Sequence, residues 1–237
     1  IVKGRPAMDI RARLRPLPPH ASFRLQDWIT WCASVCRTAD GRCHLYASRW
    51  PRALGHNAWV THSEVVYATA DQPLGPYTLQ GTILGRRDTP AWDRDVAHNP
   101  TIMPWQGRYY LYYTGNYGNG EFWDHRNHQR IGVAVADDPA GPWQRSDAPL
   151  LEPNPDGWDA LITTNPSCTP TPDGRFLLMY KSAGRRAPLP MGGPVLHGVA
   201  FSDSPTGPFR KHPEPLFAAG EANFPAEDPF VWMQDGK

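Results

Sequence analysis

The amino-acid sequence repeats itself with a period of 66 residues, and this periodicity restricts the possible folds more than any other feature. A ten-residue motif that ends in Gly-Pro followed by an aromatic residue begins at positions 68, 134 and 200. A Trp-Asp pair at 92–93 returns at 158–159, with the same spacing. Two unrelated motifs that share one period indicate tandem copies of a single structural unit.

Each copy reads as four short β-strands. A turn centred on glycine separates an apolar strand from an aromatic one, such as RYYLYYT at 108–114. A variable loop leads to a strand of small and β-branched residues, such as RIGVAVA at 130–136. The repeated Asp-x-Pro-x-Gly-Pro turn introduces the fourth strand, because proline fixes φ and glycine supplies a positive φ. Four-stranded units in tandem are typical of propeller blades, whereas isolated hairpins cannot bury this many aromatic side chains.

The sequence therefore predicts an all-β fold, a β-propeller of four-stranded antiparallel blades. We place the blades at about 25–88, 92–155 and 158–221, with the start of a fourth from 223. Residues 1–24 form an N-terminal arm outside the repeats, or alternatively supply a closing strand. A propeller removes its exposed edges by closing into a ring, so three blades and part of a fourth predict an incomplete domain over 25–237. We expect such a fragment to be poorly stable and inactive on its own.

The composition excludes several classes of function. Lys and Arg total 24 and Asp and Glu total 23, so the formal net charge of +1 provides no field for attracting nucleic acid or an anionic membrane. No apolar run approaches the roughly 20 residues that span a bilayer. Ten Trp, nine Tyr and eight Phe exclude a disordered tail, and 27 Pro exclude helical bundles. We predict neither a nucleic-acid nor a membrane partner, while the oligomeric state and the compartment stay open.

The first strands of propeller blades line the central channel, so equivalent positions at their starts converge on one axis. Aligning the openings of the four units gives a column that consists of Asp27, Asn99, Asn165 and Asp228. The preceding position in three of the units holds His98, Thr164 and Glu227. We expect these side chains to surround a common cavity. Asx-Pro pairs also cap their own backbone, and this alternative explains Asn99 and Asn165 well. It explains Asp27 less well, because Trp28 follows it.

Carboxylates at the mouth of an aromatic-lined channel are the arrangement that glycoside hydrolysis needs. One carboxylate activates water or attacks, an acid protonates the leaving oxygen, and aromatic rings stack on sugar faces. The candidate catalytic residues are Asp27, Asp228 and Glu227. The candidate substrate-binding residues are His98, Asn99, Thr164, Asn165, Trp28, Arg49 and Glu64. Arg49 and Glu64 are equally well explained as an ion pair between two strands.

Three segments carry a resemblance to a known group of proteins: 98–116, 130–143 and AEDPFVW at 226–232. They resemble the five-bladed propeller glycoside hydrolases of families 43, 32 and 117, and look most like family 43 or sucrose-hydrolase-like proteins. The resemblance extends over about 25–237. It implies a five-bladed propeller, here truncated to three blades plus the start of a fourth, that hydrolyses O-glycosyl bonds.

The roles that the resemblance implies transfer only in part. In such families the Asp of the first blade is the general base of an inverting enzyme or the nucleophile of a retaining one, and Asp27 stands at that position. Family 43 implies a second Asp and a Glu acid in the next two blades, where this sequence has Asn99 and Asn165. The second carboxylate is therefore expected in blade four, as Asp228 with Glu227 beside it. This layout resembles family 117, in which a His later in the chain resembles the general acid. Such a His would lie beyond Lys237, and Glu227 is the alternative acid within this sequence.

We expect an exo-acting glycosidase for a small oligosaccharide or glycoside, with carboxylate-based acid/base hydrolysis in the channel, inverting rather than retaining. Two alternatives stay open: a carbohydrate-binding propeller without catalysis, and a glycoside phosphorylase on the same fold. The phosphorylase would need basic residues that converge on the channel. The predicted partner in each case is a carbohydrate.

The remaining polar residues are weaker candidates. Lys181 is expected at the surface, with a role in substrate binding as the alternative. His125 and His128 are expected to be solvated residues of a loop rather than metal ligands. The cysteines stand at 32, 36, 43 and 168, and their spacing matches no zinc motif. We expect mostly free, buried thiols, since a disulfide across the hairpin would demand special geometry. No cofactor and no metal are predicted; a channel-bound cation such as calcium is compatible with the pattern but nothing specifies one.

Overall fold

Twelve strands form three four-stranded antiparallel sheets in a computed structural model that describes residues 12, 14–88, 90–216 and 227–233. The first sheet contains β1 (Trp28–Arg37), β2 (Cys43–Pro51), β3 (Glu64–Ala70) and β4 (Thr78–Leu84). The second sheet contains β5 (Val96–Trp105), β6 (Arg108–Asn116), β7 (Arg130–Ala136) and β8 (Gln144–Arg145). The third sheet contains β9 (Ile162–Pro170), β10 (Phe176–Ala183), β11 (Val195–Ser202) and β12 (Arg210–Lys211). Two short helices, α1 (Trp59–His62) and α2 (Phe122–Asn127), follow the second strands of the first and second sheets.

The three sheets are arranged radially, as the blades of a propeller are. In every sheet the strands lie in chain order, and the first strands pack side by side, β1 on β5 and β5 on β9. One apolar layer fills the space between the first and second sheets, and another lies between the second and third. The prediction of an all-β fold with four strands per unit is confirmed. Most of the predicted arm and the start of the fourth unit at 223 lie outside the described residues; within 14–27 the structure has a single 3-10 turn and no strand.

The repeated turns adopt the conformation that their sequence predicts. Gly75, Gly141 and Gly207 have φ of 78°, 96° and 86°, and each precedes a proline in the cis form. A side chain at these positions would be strained, because L-residues rarely adopt such φ values. The turn therefore requires Gly at the same place in each sheet.

The Trp-Asp pair anchors the second sheet to the segment that precedes it. The Trp92 ring stacks on Tyr113 at 5.7 Å between centroids, and a methyl group on Gly132 would lie 2.4 Å from the same indole. Asp93 is fully buried and accepts hydrogen bonds from the Tyr113 hydroxyl (2.7 Å) and from Arg145 (3.1 Å). The pair is therefore a structural element rather than part of the channel.

The third sheet repeats this anchor 66 residues later. Trp158 stacks on Tyr180 at 5.8 Å, over Gly198. Asp159 accepts a hydrogen bond from the Tyr180 hydroxyl (3.2 Å) and pairs with Lys211. The conserved geometry of the two copies explains why the Trp-Asp pair and the small third strand recur with one period.

A second repeated contact joins neighbouring sheets. The Tyr46 hydroxyl donates to the Pro139 carbonyl, and the Tyr112 hydroxyl donates to the Pro205 carbonyl, both at 2.7 Å. In each case a tyrosine of the second strand reaches the Asp-x-Pro-x-Gly-Pro turn of the following sheet. Since both rings are fully buried, these bonds fix the angle between sheets in a dry environment.

Replacing Tyr112 by Phe should lower the free energy of unfolding by about 1–1.5 kcal/mol, because the Pro205 carbonyl loses its buried partner. Tyr46→Phe should have a similar effect on the first interface. The matched control is Tyr117→Phe, whose ring is 40% exposed, with an expected change within about 0.5 kcal/mol. Urea denaturation measures all three, and equal stability of Tyr112→Phe and the control would contradict this account.

Candidate active site

The first strand of each sheet is interrupted by a bulge that turns one side chain toward the axis. The bulge residues are Cys32, Asn99 and Asn165, with φ of 47°, 48° and 51°. Asparagine tolerates this left-handed conformation, whereas cysteine adopts it at a cost of about 1–2 kcal/mol. Residues held in strained conformations concentrate at functional sites. The three bulges therefore mark the common axis of the sheets.

Asp228 lies between these three side chains. Its Oδ1 accepts hydrogen bonds from Nδ2 of Asn99 (3.1 Å) and from Nδ2 of Asn165. Its Oδ2 faces the Cys32 thiol, with Sγ at 3.4 Å. Three of the four residues in the column expected from the sequence thus meet at the axis: Asn99 and Asn165 both contact the carboxylate of the third, Asp228.

The fourth member of that column is Cys32, so the prediction that placed Asp27 in the column was wrong. Asp27 is exposed in the turn before β1, five residues earlier, or about 16 Å along an extended strand. Its carbonyl accepts a hydrogen bond from the Arg52 amide (2.9 Å), which closes the base of the sheet. Cys32 rather than Asp27 stands beside Asp228, because the bulge fixes which residue faces the axis.

Trp28, Arg49 and Glu64 lie together on the first sheet, away from the axis. The Arg49 guanidinium covers the Trp28 ring at 3.9 Å from its centroid and pairs with Glu64 at 2.8 Å. It also donates to the Thr82 hydroxyl (3.1 Å). The structure thus shows the ion pair between strands that was the alternative to sugar binding. None of the three residues lines either of the two cavities described below.

Residues 227–233 dock onto the third sheet as β5 docks onto the first. The Val231 amide donates to the Ser167 hydroxyl (2.9 Å), and the Ile102 amide donates to the Ser34 hydroxyl (3.1 Å). Ser34 and Ser167 each stand two residues after a bulge residue. This equivalence places Asp228 in the same structural position as Cys32, Asn99 and Asn165.

A cavity of about 960 Å³ opens on the axis above Asn99 and Asn165. Its walls are largely aromatic and include Trp31, Trp50, Trp59, Phe122 and Trp123. Polar groups converge on it: Asn99 and Asn165 from the first strands of their sheets, Lys181 from β10, and Glu227 at its wall. An apolar pocket with a few convergent polar groups is typical of small-molecule sites.

Most of this wall comes from the connections between second and third strands. Trp59 belongs to α1, Phe122 and Trp123 to α2, and a loop at 184–194 forms another side. The Arg126 guanidinium donates to the Met191 carbonyl (2.8 Å), which joins α2 to that loop. The sequence marks these connections as variable loops within the 66-residue period, but their contacts could not be read from it.

Lys181 lines the cavity, so its predicted surface position was wrong. Its side chain is 11% exposed, and its ammonium group pairs with the Glu227 carboxylate, which is 51% exposed. The imidazole of His197 lies 3.3 Å from the Glu227 carbonyl oxygen. Glu227 is therefore held at the cavity wall from the third sheet.

His98 is buried and lines the larger cavity. Its Nδ1 is 2.7 Å from the Ser63 hydroxyl, and its ring stacks on Trp59 at 5.0 Å. Burial, together with the charge of Lys181, lowers the pKa of His98 to about 3. The imidazole is thus a neutral hydrogen-bonding group on the cavity side of the second sheet.

The buried His98 should make the protein less stable in acid. Between its ordinary pKa of 6.5 and its folded pKa of about 3, the unfolded chain binds a proton that the folded chain does not. The free energy of unfolding therefore falls as the pH drops below 6.5, by about 2 kcal/mol at pH 5 from this residue. His98→Asn should reduce the loss between pH 7 and pH 5 by that amount, whereas His20→Asn, at an exposed position, should not. Equal pH dependence of the two variants in urea denaturation would refute this.

A smaller cavity of about 300 Å³ lies on the other side of the axial residues. Asn99 and Asn165 line both cavities, whereas Cys32 and Asp228 line only the smaller one. Burial, reinforced by the negative charge of Asp228, raises the pKa of the Cys32 thiol far above its usual range, so the thiol stays protonated. The Oδ1 atom of Asn99 is buried and finds no hydrogen-bond partner among the described residues.

Thr164 contributes to the site indirectly, through a hydrogen bond to Asn165. Its hydroxyl donates to Oδ1 of Asn165 at 2.7 Å and lies 3.0 Å from the Thr114 hydroxyl. Thr164 is almost completely buried and lines neither cavity. It therefore orients Asn165 instead of facing a ligand.

Other predicted features lie elsewhere. His125 is buried, within hydrogen-bond distance of Asn116 Oδ1 (3.0 Å), so its predicted solvated position was wrong; His128 is half-exposed and stacks on Tyr117.

Within residues 14–88, 90–216 and 227–233, no three His, Cys, Asp or Glu side chains are grouped so as to hold a metal ion. The four cysteines are free, and three of them are buried, as expected. No helix in the described part of the chain is long and apolar enough to cross a bilayer.

Comparisons with known proteins identify similar proteins among the solved structures. No curated protein is significantly similar in sequence. A family 117 glycoside hydrolase of the marine bacterium Zobellia galactanivorans is 25% identical, with a TM-score of 0.63, over 79% of this chain and 56% of that one. A family 43 β-xylosidase/α-arabinofuranosidase from a compost metagenome, in complex with xylotriose, is 20% identical, with a TM-score of 0.54, over 77% of this chain and 58% of that one. An α-L-arabinofuranosidase from Lactobacillus brevis is 15% identical, with a TM-score of 0.56, over 81% of this chain and 57% of that one.

The present chain thus spans less than two thirds of the length of the solved structures that it matches, 56–58% in these three. The two matches below 25% identity establish the propeller-like fold. The model of the glycosyl hydrolases family 43 matches residues 33–166, which include the bulges at Asn99 and Asn165. By this match, the chain belongs to glycosyl hydrolase family 43.

Proposed function

We propose that the protein is an exo-acting glycoside hydrolase whose active site comprises the axial aromatic cavity and the smaller cavity on the other side of Asn99 and Asn165. The observation that carries the proposal is the position of Glu227 at the wall of a cavity of about 960 Å³ that four tryptophans line. The tryptophans are Trp31, Trp50, Trp59 and Trp123. Aromatic faces bind the apolar faces of sugar rings, and carboxylates supply the acid and base of glycosidic bond hydrolysis.

Exo action is supported by the continuity of the cavity wall. The Asn127 side-chain amide donates to the Pro190 carbonyl (3.0 Å), and Arg126 donates to the Met191 carbonyl (2.8 Å). These bonds connect α2 to the 184–194 loop, so the described residues form a continuous wall at this point. A wall that blocks one end of the cavity favours binding of the end of an oligosaccharide or of a small glycoside.

The two carboxylates of the reaction are Asp228 and Glu227. Three neighbouring side chains hold Asp228 at the axis, and Lys181 holds Glu227 at the cavity wall. Asn99 and Asn165 separate the two acids and line both cavities. We infer an inverting mechanism, in which one carboxylate activates water and the other protonates the leaving group. This mechanism requires the two carboxyl groups to lie about 6.5–9.5 Å apart.

We also propose that the three sheets are the first three blades of a five-bladed propeller, and that residues 227–233 open the fourth. The contact of the Val231 amide with Ser167 supports this, because it reproduces the contact of the Ile102 amide with Ser34. On this proposal the fourth and fifth blades complete the ring around the cavity.

The test is a panel of aryl and alkyl glycosides, including xylosides and arabinofuranosides, with the products followed by proton NMR. Release of sugar with inverted anomeric configuration is the expected result. Retention would overturn the inverting mechanism, and absence of product from every glycoside would overturn the hydrolase.

A second candidate function is carbohydrate binding without catalysis. It is favoured by Asn99 and Asn165, which are amides at axial positions where hydrolysis would use carboxylates. This candidate predicts binding of the same sugars by calorimetry and no product in the panel above.

A further inference from the structure

We infer that the substrate carries an anionic group, a carboxylate or a sulfate on the sugar bound in the cavity. The inference rests on the proposed function, whose site it describes further. Among the described residues that line the cavity, the fixed cations are Lys181, Arg126 and Arg186, and the only carboxylate is that of Glu227. Glu227 already pairs with Lys181. Two guanidinium groups thus have no counter-charge in the wall.

Arg126 has no counter-charge among the described residues. Its guanidinium donates to the Asn127 side-chain oxygen (2.9 Å) and to the Met191 carbonyl (2.8 Å), which are both neutral. The group lies 5.8 Å from the centre of the Trp123 ring. No carboxylate of the described residues lies within 4.0 Å of it. Burial lowers the pKa of Arg126, but arginine stays charged in proteins.

A partly buried charge without a counter-charge is unfavourable, and a ligand that supplies the counter-charge removes this cost. A guanidinium presents a planar fork of donors that fits a carboxylate or sulfate with two parallel hydrogen bonds. Arg186, on the 184–194 loop, supplies a second positive charge to the same cavity. The aromatic faces would hold the ring of the sugar while the arginines hold its anionic substituent.

The experiment is calorimetry with free monosaccharides, which have no glycosidic bond and therefore bind whether or not the protein is a hydrolase. The acids are glucuronic, galacturonic, mannuronic and iduronic acid and galactose 6-sulfate, each compared with its neutral parent sugar. We expect at least one acid to bind about ten- to hundredfold more tightly than its parent. The carboxylate and sulfate arms then identify the anionic group.

The variants test the residues. Arg186→Gln, at an exposed position, should reduce the preference for the acid over its neutral parent sugar, and Arg126→Gln should reduce it further. Arg126→Lys should keep part of it. The matched control is Arg210→Gln, which removes an exposed arginine of β12 and should leave the preference intact.

Equal binding of acids and parent sugars, or binding of no acid, would overturn the inference. So would product formation that depends on inorganic phosphate, because the arginines would then serve a phosphate co-substrate. A preference for the acid without turnover of any glycoside would leave the inference standing and overturn the hydrolase instead.

Discussion

Replacing Asp228 by asparagine should lower kcat by about 10²–10⁴-fold while sugar binding survives, because the change removes a carboxylate that we assign to acid/base catalysis. The substitution should preserve the structure around it. The new amide oxygen can accept the hydrogen bonds of Asn99 and Asn165, and the new NH₂ group can take the place of Oδ2 beside Cys32. A loss of turnover would therefore report on chemistry. Calorimetry and steady-state kinetics of the intact protein give the two quantities.

Glu227→Gln should lower turnover by a similar factor, and the leaving group separates the roles. A variant that has lost its general acid still cleaves glycosides with an activated leaving group, such as dinitrophenolate, whereas one that has lost its base does not. The matched controls are Asp203→Asn and Glu214→Gln, at exposed positions of the third unit. Turnover near that of the unchanged protein in both axial variants would exclude these carboxylates from the reaction.

The fold could be predicted because the signals that specify it are local. The glycine turns and the Trp-Asp pair recur at one spacing, and each element needs only neighbours within its own unit or the next. The structure explains the period: Gly132 and Gly198 make room for Trp92 and Trp158 in the same way. Residues that satisfy the same local geometry in each blade leave a readable repeat.

The axial residues were harder to predict because the bulge, rather than residue type, decides which side chain faces the channel. Cys32 stands nine residues before Gly41, as Asn165 does before Gly174. Asn99 stands eight residues before Gly107, so counting back from the turn would have narrowed the choice to Cys32 and Ala33 and excluded Asp27. The alignment of the four openings placed Asp27 in the column, although Asp27 lies outside the bulge. A cysteine in a column of amides and a carboxylate gives no chemical signal of its own.

The cavity wall could not be predicted because it depends on contacts between distant insertions. Arg126 meets the Met191 carbonyl across 65 residues of chain. Trp59 and Trp123 lie in equivalent connections whose sequences differ, so the 66-residue repeat does not mark either of them. The prediction of Lys181 at the surface failed for the same reason, since Glu227, its partner, comes from the fourth unit. Such side chains are placed by the packing of whole blades.

The largest effect on stability should come from the anchor of the second sheet. Asp93→Asn should lower the free energy of unfolding by about 3–5 kcal/mol, because it leaves Arg87 and Arg145 without a counter-charge in a buried position. The Arg87 and Arg145 side chains are 26% and 12% exposed, and Asp93 is fully buried. The shape of the residue is unchanged, so the loss would measure electrostatics rather than packing.

Two comparisons make this prediction specific. Asp137→Asn breaks an ion pair with Arg108 whose side chains are 85% and 51% exposed, so we expect a change of about 1 kcal/mol or less. Asp159→Asn breaks the equivalent anchor in the third sheet, where Lys211 is 20% exposed, and should be nearly as harmful as Asp93→Asn. If urea denaturation gave the same small loss for all three, the Trp-Asp repeat would owe its spacing to the tryptophan alone. A large loss at both anchors would instead establish the aspartate as the residue that ties each blade to the segment before it.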